Sequence, residues 1–129
     1  QLSGEFRNGR HVRLKAKRAS DRDWLARYLA SIPNAERLGE IALVDSTSRI
    51  GQTGLVYYNG LLDENAAAHM AFGSGFAKTR TVPLGQKRYG VNRSNTHIDV
   101  MIGTDALEAT GVTQSGRRVS LVLEGVWQF

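Results

Sequence analysis

The chain has no cysteine among its 129 residues. That excludes disulfides and thiolate-bound zinc, so any metal must be held by nitrogen and oxygen. No apolar run approaches bilayer-spanning length and no signal-peptide pattern opens the chain, so no membrane role is expected and the cytoplasm is the expected compartment. Repeats, low-complexity tracts and linkers are missing too, and residues 1–129 read as a single domain. The chain opens at Gln1 rather than at a methionine, which leaves trimming and a piece of a longer protein both open.

The composition, 41% hydrophobic and 22% charged, is that of an ordinary globular protein, large enough to bury a core. The net charge of +5 raises a nucleic-acid reading. Eight of the 17 basic residues fall in the first 27 positions, and Arg13, Lys15 and Lys17 alternate so as to share one face of a strand. Base-reading aromatics and a recognisable binding module are absent, so a solvated sheet face explains the charges and no nucleic acid is expected. Between Glu36 and Phe76 the balance reverses to five acids and two bases, which suits a cation.

Residues 2–17 read as a β-hairpin turning at Asn8-Gly9. Ser20 reads as the N-cap of a helix with Asp21 and Asp23 in its first turn and an apolar stripe of Trp24, Leu25, Tyr28, Leu29 and Ile32. Pro33-Asn34 ends it. Residues 38–44 read as a buried strand, residues 55–58 as a short one, and Asp63 as the N-cap of a helix through residues 66–71, broken at Gly73. Residues 73–95, with Pro83, Gly85 and Gly90, read as a long functional loop. Strands are expected over residues 96–102, 112–113 and 119–127, with a turn at Ser115-Gly116. The fold class is therefore α+β, mostly antiparallel sheet with two main helices.

Glu40, His69, His97 and Asp99 stand out chemically. On an extended strand His97, Asp99 and Met101 face one way and Ile98, Val100 and Ile102 the other, with His97 and Asp99 roughly 6–7 Å apart at Cα. Both then reach one cation, or each binds one of a pair. Taken alone, such a pair is more often a buried histidine hydrogen-bonded to a nearby carboxylate. His69 is expected on a helix, one turn after Asn65. Glu40 precedes an apolar run and needs a partner, either a metal or the nearby Arg37, because burying an unpaired charge is costly. His11, in the basic hairpin, reads as solvent-exposed.

Three segments carry a family resemblance: Glu36-Arg37-Leu38-Gly39-Glu40-Ile41-Ala42-Leu43-Val44, Tyr58-Asn59-Gly60-Leu61-Leu62-Asp63-Glu64-Asn65-Ala66-Ala67-Ala68-His69 and His97-Ile98-Asp99-Val100-Met101-Ile102-Gly103. Together they resemble the C-terminal part of the thermophilic-type metalloaminopeptidases, the aminopeptidase T and S family. The resemblance covers nearly the whole chain, including its Val126-Trp127-Gln128-Phe129 end. It implies a two-metal site of Zn, Co or Mn held by Glu40, His69, His97 and Asp99, hydrolysis of N-terminal residues from peptide substrates, and a homodimer. It also implies a pair of glutamates, one a ligand and one the general base, in sequence that would precede Gln1. Phe76 occupies the family's catalytic tyrosine position and cannot donate a hydrogen bond, so no catalytic residue is assigned in this chain. The 129 residues alone are expected to be inactive or nearly so.

Two alternatives remain open at this point. His69, His97 and Asp99 make the two-histidine, one-carboxylate set of non-haem Fe(II) enzymes, and ring-cleaving dioxygenases that bind one iron look similar to this family. The other alternative is a non-catalytic dimerisation or binding module with a vestigial ligand set.

Overall fold

In a computed structural model, residues 2–79 and 91–129 are described. The chain divides into two compact units, residues 1–41 with 70–100 and residues 42–69 with 101–129. The elements run β1 (Leu2–Arg7), β2 (Arg10–Ala16), α1 (Ala19–Ser31), β3 (Leu38–Ala42), α2 (Gly60–Asp63), β4 (His69–Gly73), β5 (His97–Met101), β6 (Ala109–Val112), β7 (Arg118–Leu123) and β8 (Val126–Trp127). The α+β class, with its antiparallel hairpins and two helices, is as expected.

The first unit begins with β1 and β2, paired antiparallel around Asn8 and Gly9. Both turn residues have positive φ, 51° and 73°, the left-handed pair that a two-residue hairpin requires. Arg13, Lys15 and Lys17 are exposed, as a solvated face requires. Helix α1 starts two residues before the expected position: Arg18 is the N-cap and makes no side-chain capping bond, so Ser20 lies inside the helix. Its apolar stripe splits. Leu25 and Leu29 are buried, whereas Trp24 stacks on Tyr28 at 5.5 Å and stays largely exposed.

The core of this unit gathers Leu25, Leu29, Ala35 and Phe72, with Phe6, Leu14, Ile98 and Val100 packed against them. Burying Leu29 completely stabilises the fold by about 1.5–3 kcal/mol relative to leaving it in water. His11 is half-buried rather than solvent-exposed, because its ring meets Phe72 edge-on at 5.8 Å. Strands β3, β4 and β5 form one sheet with β4 in the middle. The expected buried strand at residues 38–44 is shorter and only half-buried, with Ile41 facing solvent.

The second unit corrects the other helix. The chain over residues 66–71 is not helical; α2 is a single turn ending at Asp63, capped by Asn59, whose side chain accepts from the Leu61 N–H. Asp63 instead accepts from the backbone N–H groups of Tyr57 and Asn59, at 2.8 and 3.0 Å, and so braces the turn that precedes the helix. Residues 55–58 form no strand: Leu55, Val56 and Tyr58 are exposed and Tyr58 has φ 54°. The expected strand at residues 119–127 is interrupted by a turn at Glu124-Gly125, which separates β7 from β8. Strands β6, β7 and β8 pair antiparallel. The Asp45 carboxylate accepts from the Trp127 N–H at 2.7 Å and anchors the last strand. The loop expected over residues 73–95 contains a short 3-10 turn at Ala77–Thr79; its residues 80–90, including Pro83, Gly85, Tyr89 and Gly90, lie outside the described residues.

Among the described residues no helix is long and apolar enough to cross a membrane.

Candidate metal centre

Strand alternation builds one face of the β3-β4-β5 sheet into the core and leaves the other for chemistry. Ile98 and Val100 of β5 and Phe72 of β4 join the core cluster. Their neighbours His97 and Asp99 on β5, and Ala71 and Gly73 on β4, therefore occupy the opposite face. Beside Glu40 and His97 the middle strand places the small residues Ala71 and Gly73, so side chains from the two outer strands meet across it. Glu40 of β3 and His97 of β5 do so, with Glu40 Oε2 3.2 Å from His97 Nε2. Asp99 Oδ1 lies 3.0 Å from the same nitrogen.

One ligand atom from each of Glu40, His97 and Asp99 falls within 4.8 Å of the others. All three side chains are about one-fifth exposed: sheltered, but open on one side. Glu40 is not paired with Arg37; its neighbour is His97.

The contacts at His97 are short, yet they are not hydrogen bonds. The ring donates from Nδ1 to the Ser74 carbonyl at 2.6 Å, since a carbonyl can only accept. In the neutral ring this places the lone pair on Nε2. His97 Nε2 and Asp99 Oδ1 are both buried atoms without a hydrogen-bond partner, although they are 3.0 Å apart. Three groups that can each offer an electron pair thus converge on a common point, and that arrangement suits a cation. A backbone carbonyl fixing the imidazole through its other nitrogen is the usual support of a metal-bound histidine.

Phe76 adds a second restraint, its ring tilted 59° against His97 with centroids 5.1 Å apart. Ser74 and Phe76 both follow β4 directly, so one short segment orients the imidazole from two sides. Sequence reading did not find Ser74, because its contribution is a main-chain carbonyl.

His69, the fourth expected ligand, is the first residue of β4 and belongs to the second unit. It opens a strand rather than riding a helix. It is buried, and its Nδ1 donates to the Ala67 carbonyl at 3.1 Å, the same kind of backbone anchor that holds His97.

Comparison with known proteins supplies relatives for this arrangement. The chain is 38% identical to aminopeptidase T of Thermus aquaticus over 129 residues, 98% of this chain and 31% of that protein. It is 36% identical to aminopeptidase AmpS of Bacillus subtilis over 131 residues, covering 96% of this chain and 31% of the relative. The solved structure of wild-type AmpT from Thermus thermophilus superposes with a TM-score of 0.85 at 34% identity, over 99% of this chain and 32% of that one. The chain thus spans about a third of the length of the relatives it matches. The model of the thermophilic metalloprotease (M29) family matches residues 1–127, and the chain belongs to that family.

Proposed function

We propose that this chain is the metal-binding portion of a metal-dependent aminopeptidase that releases N-terminal residues from peptides. The observation that carries the reading is the convergence of Glu40, His97 and Asp99, with His97 Nε2 and Asp99 Oδ1 buried and unpaired. His69 is the fourth proposed ligand, on its place in the family pattern and on its buried, backbone-anchored ring. Two divalent ions, Zn, Co or Mn, would polarise a scissile carbonyl, activate water and anchor a free amine.

This chain's own residues have the preparatory part. Glu40 and Asp99 supply negative charge, the Ser74 carbonyl holds the His97 imidazole with Nε2 facing the site, and Phe76 limits the tilt of that ring. No general base is assigned within these residues, so hydrolysis is proposed for the longer protein and not for the 129 residues alone. A cytoplasmic homodimer, as the family resemblance implies, completes the proposal.

Glu40 beside His97 makes a carboxylate-rich set. It favours the peptidase reading over a single-iron dioxygenase, whose set of two histidines and one carboxylate would leave Glu40 without a role. Calorimetric titration with Zn²⁺, Co²⁺ and Fe²⁺ tests the assignment. Wild type is expected to bind Zn²⁺ or Co²⁺ and His97→Ala to lose that binding. Equal, negligible binding by both proteins would leave the site vestigial, and one tightly held iron would favour the dioxygenase.

A further inference from the structure

The segment that leads into β5 is tied to the rest of the first unit by polar side chains outside the ligand set. Ser94 donates from Oγ to the Pro33 carbonyl at 3.0 Å, and Asn34 donates to the Arg93 carbonyl at 3.2 Å. Asn92 makes more of these ties than either. Its Nδ2 group donates to the carbonyls of Asn34 and Gly73, at 2.9 and 2.6 Å, and its own carbonyl accepts from the Gly75 N–H at 3.0 Å. A side-chain amide nitrogen carries two hydrogens, so both are engaged.

These bonds fall on the two peptide units that flank Ser74. The Asn92 side chain grips the Gly73–Ser74 unit by its C=O, and the Asn92 main chain grips the Ser74–Gly75 unit by its N–H. The Ser74 N–H donates in turn to the Thr96 carbonyl at 2.7 Å, so the first unit is held at both ends. The second unit carries the Ser74 C=O, which accepts from His97 Nδ1 at 2.6 Å. A peptide unit is planar, so fixing its N–H fixes the direction of its C=O. Hydrogen bonds at both ends of one unit also polarise each other, which strengthens the acceptor that His97 uses.

We propose that Asn92 is a positioning residue for the candidate metal centre. Its side chain holds the Ser74 carbonyl where that carbonyl fixes the His97 imidazole, with Nε2 toward Glu40 and Asp99. The inference rests on the metal-site reading and adds a residue whose hydrogen bonds all go to main-chain groups.

The amide is the required group. Aspartate has the same shape but no N–H, and its oxygens would face the carbonyl oxygens of Asn34 and Gly73. Coulomb attraction alone argues the other way, because an added negative charge favours a nearby cation. Asn92→Asp therefore separates positioning from charge.

The test uses the protein that carries this sequence at its full natural length. Zn²⁺ binding is measured by calorimetry, and the histidine rings of the metal-free protein by ¹H–¹⁵N NMR, with His97 assigned from His97→Gln. Wild type is expected to show His97 protonated at Nδ1, with slow solvent exchange of that proton. Asn92→Ala and Asn92→Asp should each weaken Zn²⁺ binding by about 10–100-fold and speed the exchange, and Asn92→Gln should recover part of both. Ser94→Ala is the control: it removes a side-chain bond from the same segment without touching either peptide unit at Ser74, and it should change neither readout. Equal losses in Ser94→Ala would reduce Asn92 to a structural role, and Zn²⁺ affinity in Asn92→Asp at or above wild type would overturn the proposal. If Asn92→Ala does not fold, Asn92→Gln carries the comparison, where intermediate values support the proposal and wild-type values overturn it. Wild type that binds no Zn²⁺ would sink the metal reading, and the NMR then decides Asn92 alone: faster exchange in the variants supports the positioning role, and unchanged exchange overturns it.

Discussion

Gly39 precedes the candidate ligand Glu40 and controls how closely β3 approaches the segment that holds His97. A Cβ built at Gly39 would lie 2.6 Å from the carbonyl oxygens of both Gly73 and Ser74, and 2.9 Å from the Ser74 carbonyl carbon. These are backbone atoms on two residues, so no side chain can swing away to relieve the clash. Gly39→Ala must therefore open the spacing by several tenths of an ångström. The Ser74 carbonyl is the group that orients His97, so the displacement falls directly on the ring.

Overpacking of this kind costs about 1–3 kcal/mol of stability. Ligand geometry is less forgiving, and loss of an outer partner of a metal-bound histidine typically weakens metal binding by about 10–100-fold. The expected result is a moderate fall in the denaturation midpoint with a disproportionate loss of Zn²⁺ affinity. Gly54→Ala is the control: that residue has positive φ, 63°, which Gly39 does not, but a Cβ there meets nothing within 4 Å. It should lose about 1 kcal/mol or less of stability and keep its metal affinity. A Gly39→Ala protein that binds Zn²⁺ like wild type would refute the argument that this close approach positions the site.

Two further predictions follow from individual contacts. Phe76→Ala removes the ring packed on His97, so Zn²⁺ affinity should fall several-fold while the fold persists, and Phe76→Leu should recover part of the loss; calorimetry that finds no change in Phe76→Ala removes Phe76 from the positioning set. The Asp45 carboxyl is held below its ordinary value, first by the Thr47 hydroxyl and then by the Trp127 and Thr47 N–H groups. A depressed folded-state value means that its contribution is present above the ordinary carboxylate range, about pH 4, and is lost as pH falls through the folded value. Acid titrations of wild type and Asp45→Asn, followed by fluorescence of Trp127, should therefore converge at low pH, and parallel curves would dismiss this linkage.

How much of this was legible in the sequence depended on whether the governing rule is local. Asn8-Gly9 specifies its hairpin through the φ values of two residues, and the period-2 rule separated His97 and Asp99 from Ile98 and Val100 without knowledge of neighbouring strands. The failure at residues 66–71 has the opposite cause. Three consecutive alanines carry high helix propensity, and a short apolar run does not distinguish a buried helix from a buried strand by periodicity. What decides is placement: β4 is the middle strand of its sheet, with Ala71 and Phe72 buried on opposite faces, and tertiary pairing overrides propensity. Asp63 misled in the same way, because a carboxylate that can cap a following helix can equally accept from the turn before it.

The candidate ligands divide along that line. Glu40, His97 and Asp99 come together because strand alternation aims them and small residues on the middle strand leave room, and both causes are readable once the strands are known. The partner that gives the trio its chemical sense, the Ser74 carbonyl, has no side-chain identity and lies 23 positions from His97. The hydrogen bond it accepts from Nδ1 fixes the ring with Nε2 facing the two carboxylates. Exchanging Ser74 itself would leave the carbonyl in place. The informative perturbation is instead backbone displacement at Gly39, which moves the acceptor while keeping every candidate ligand.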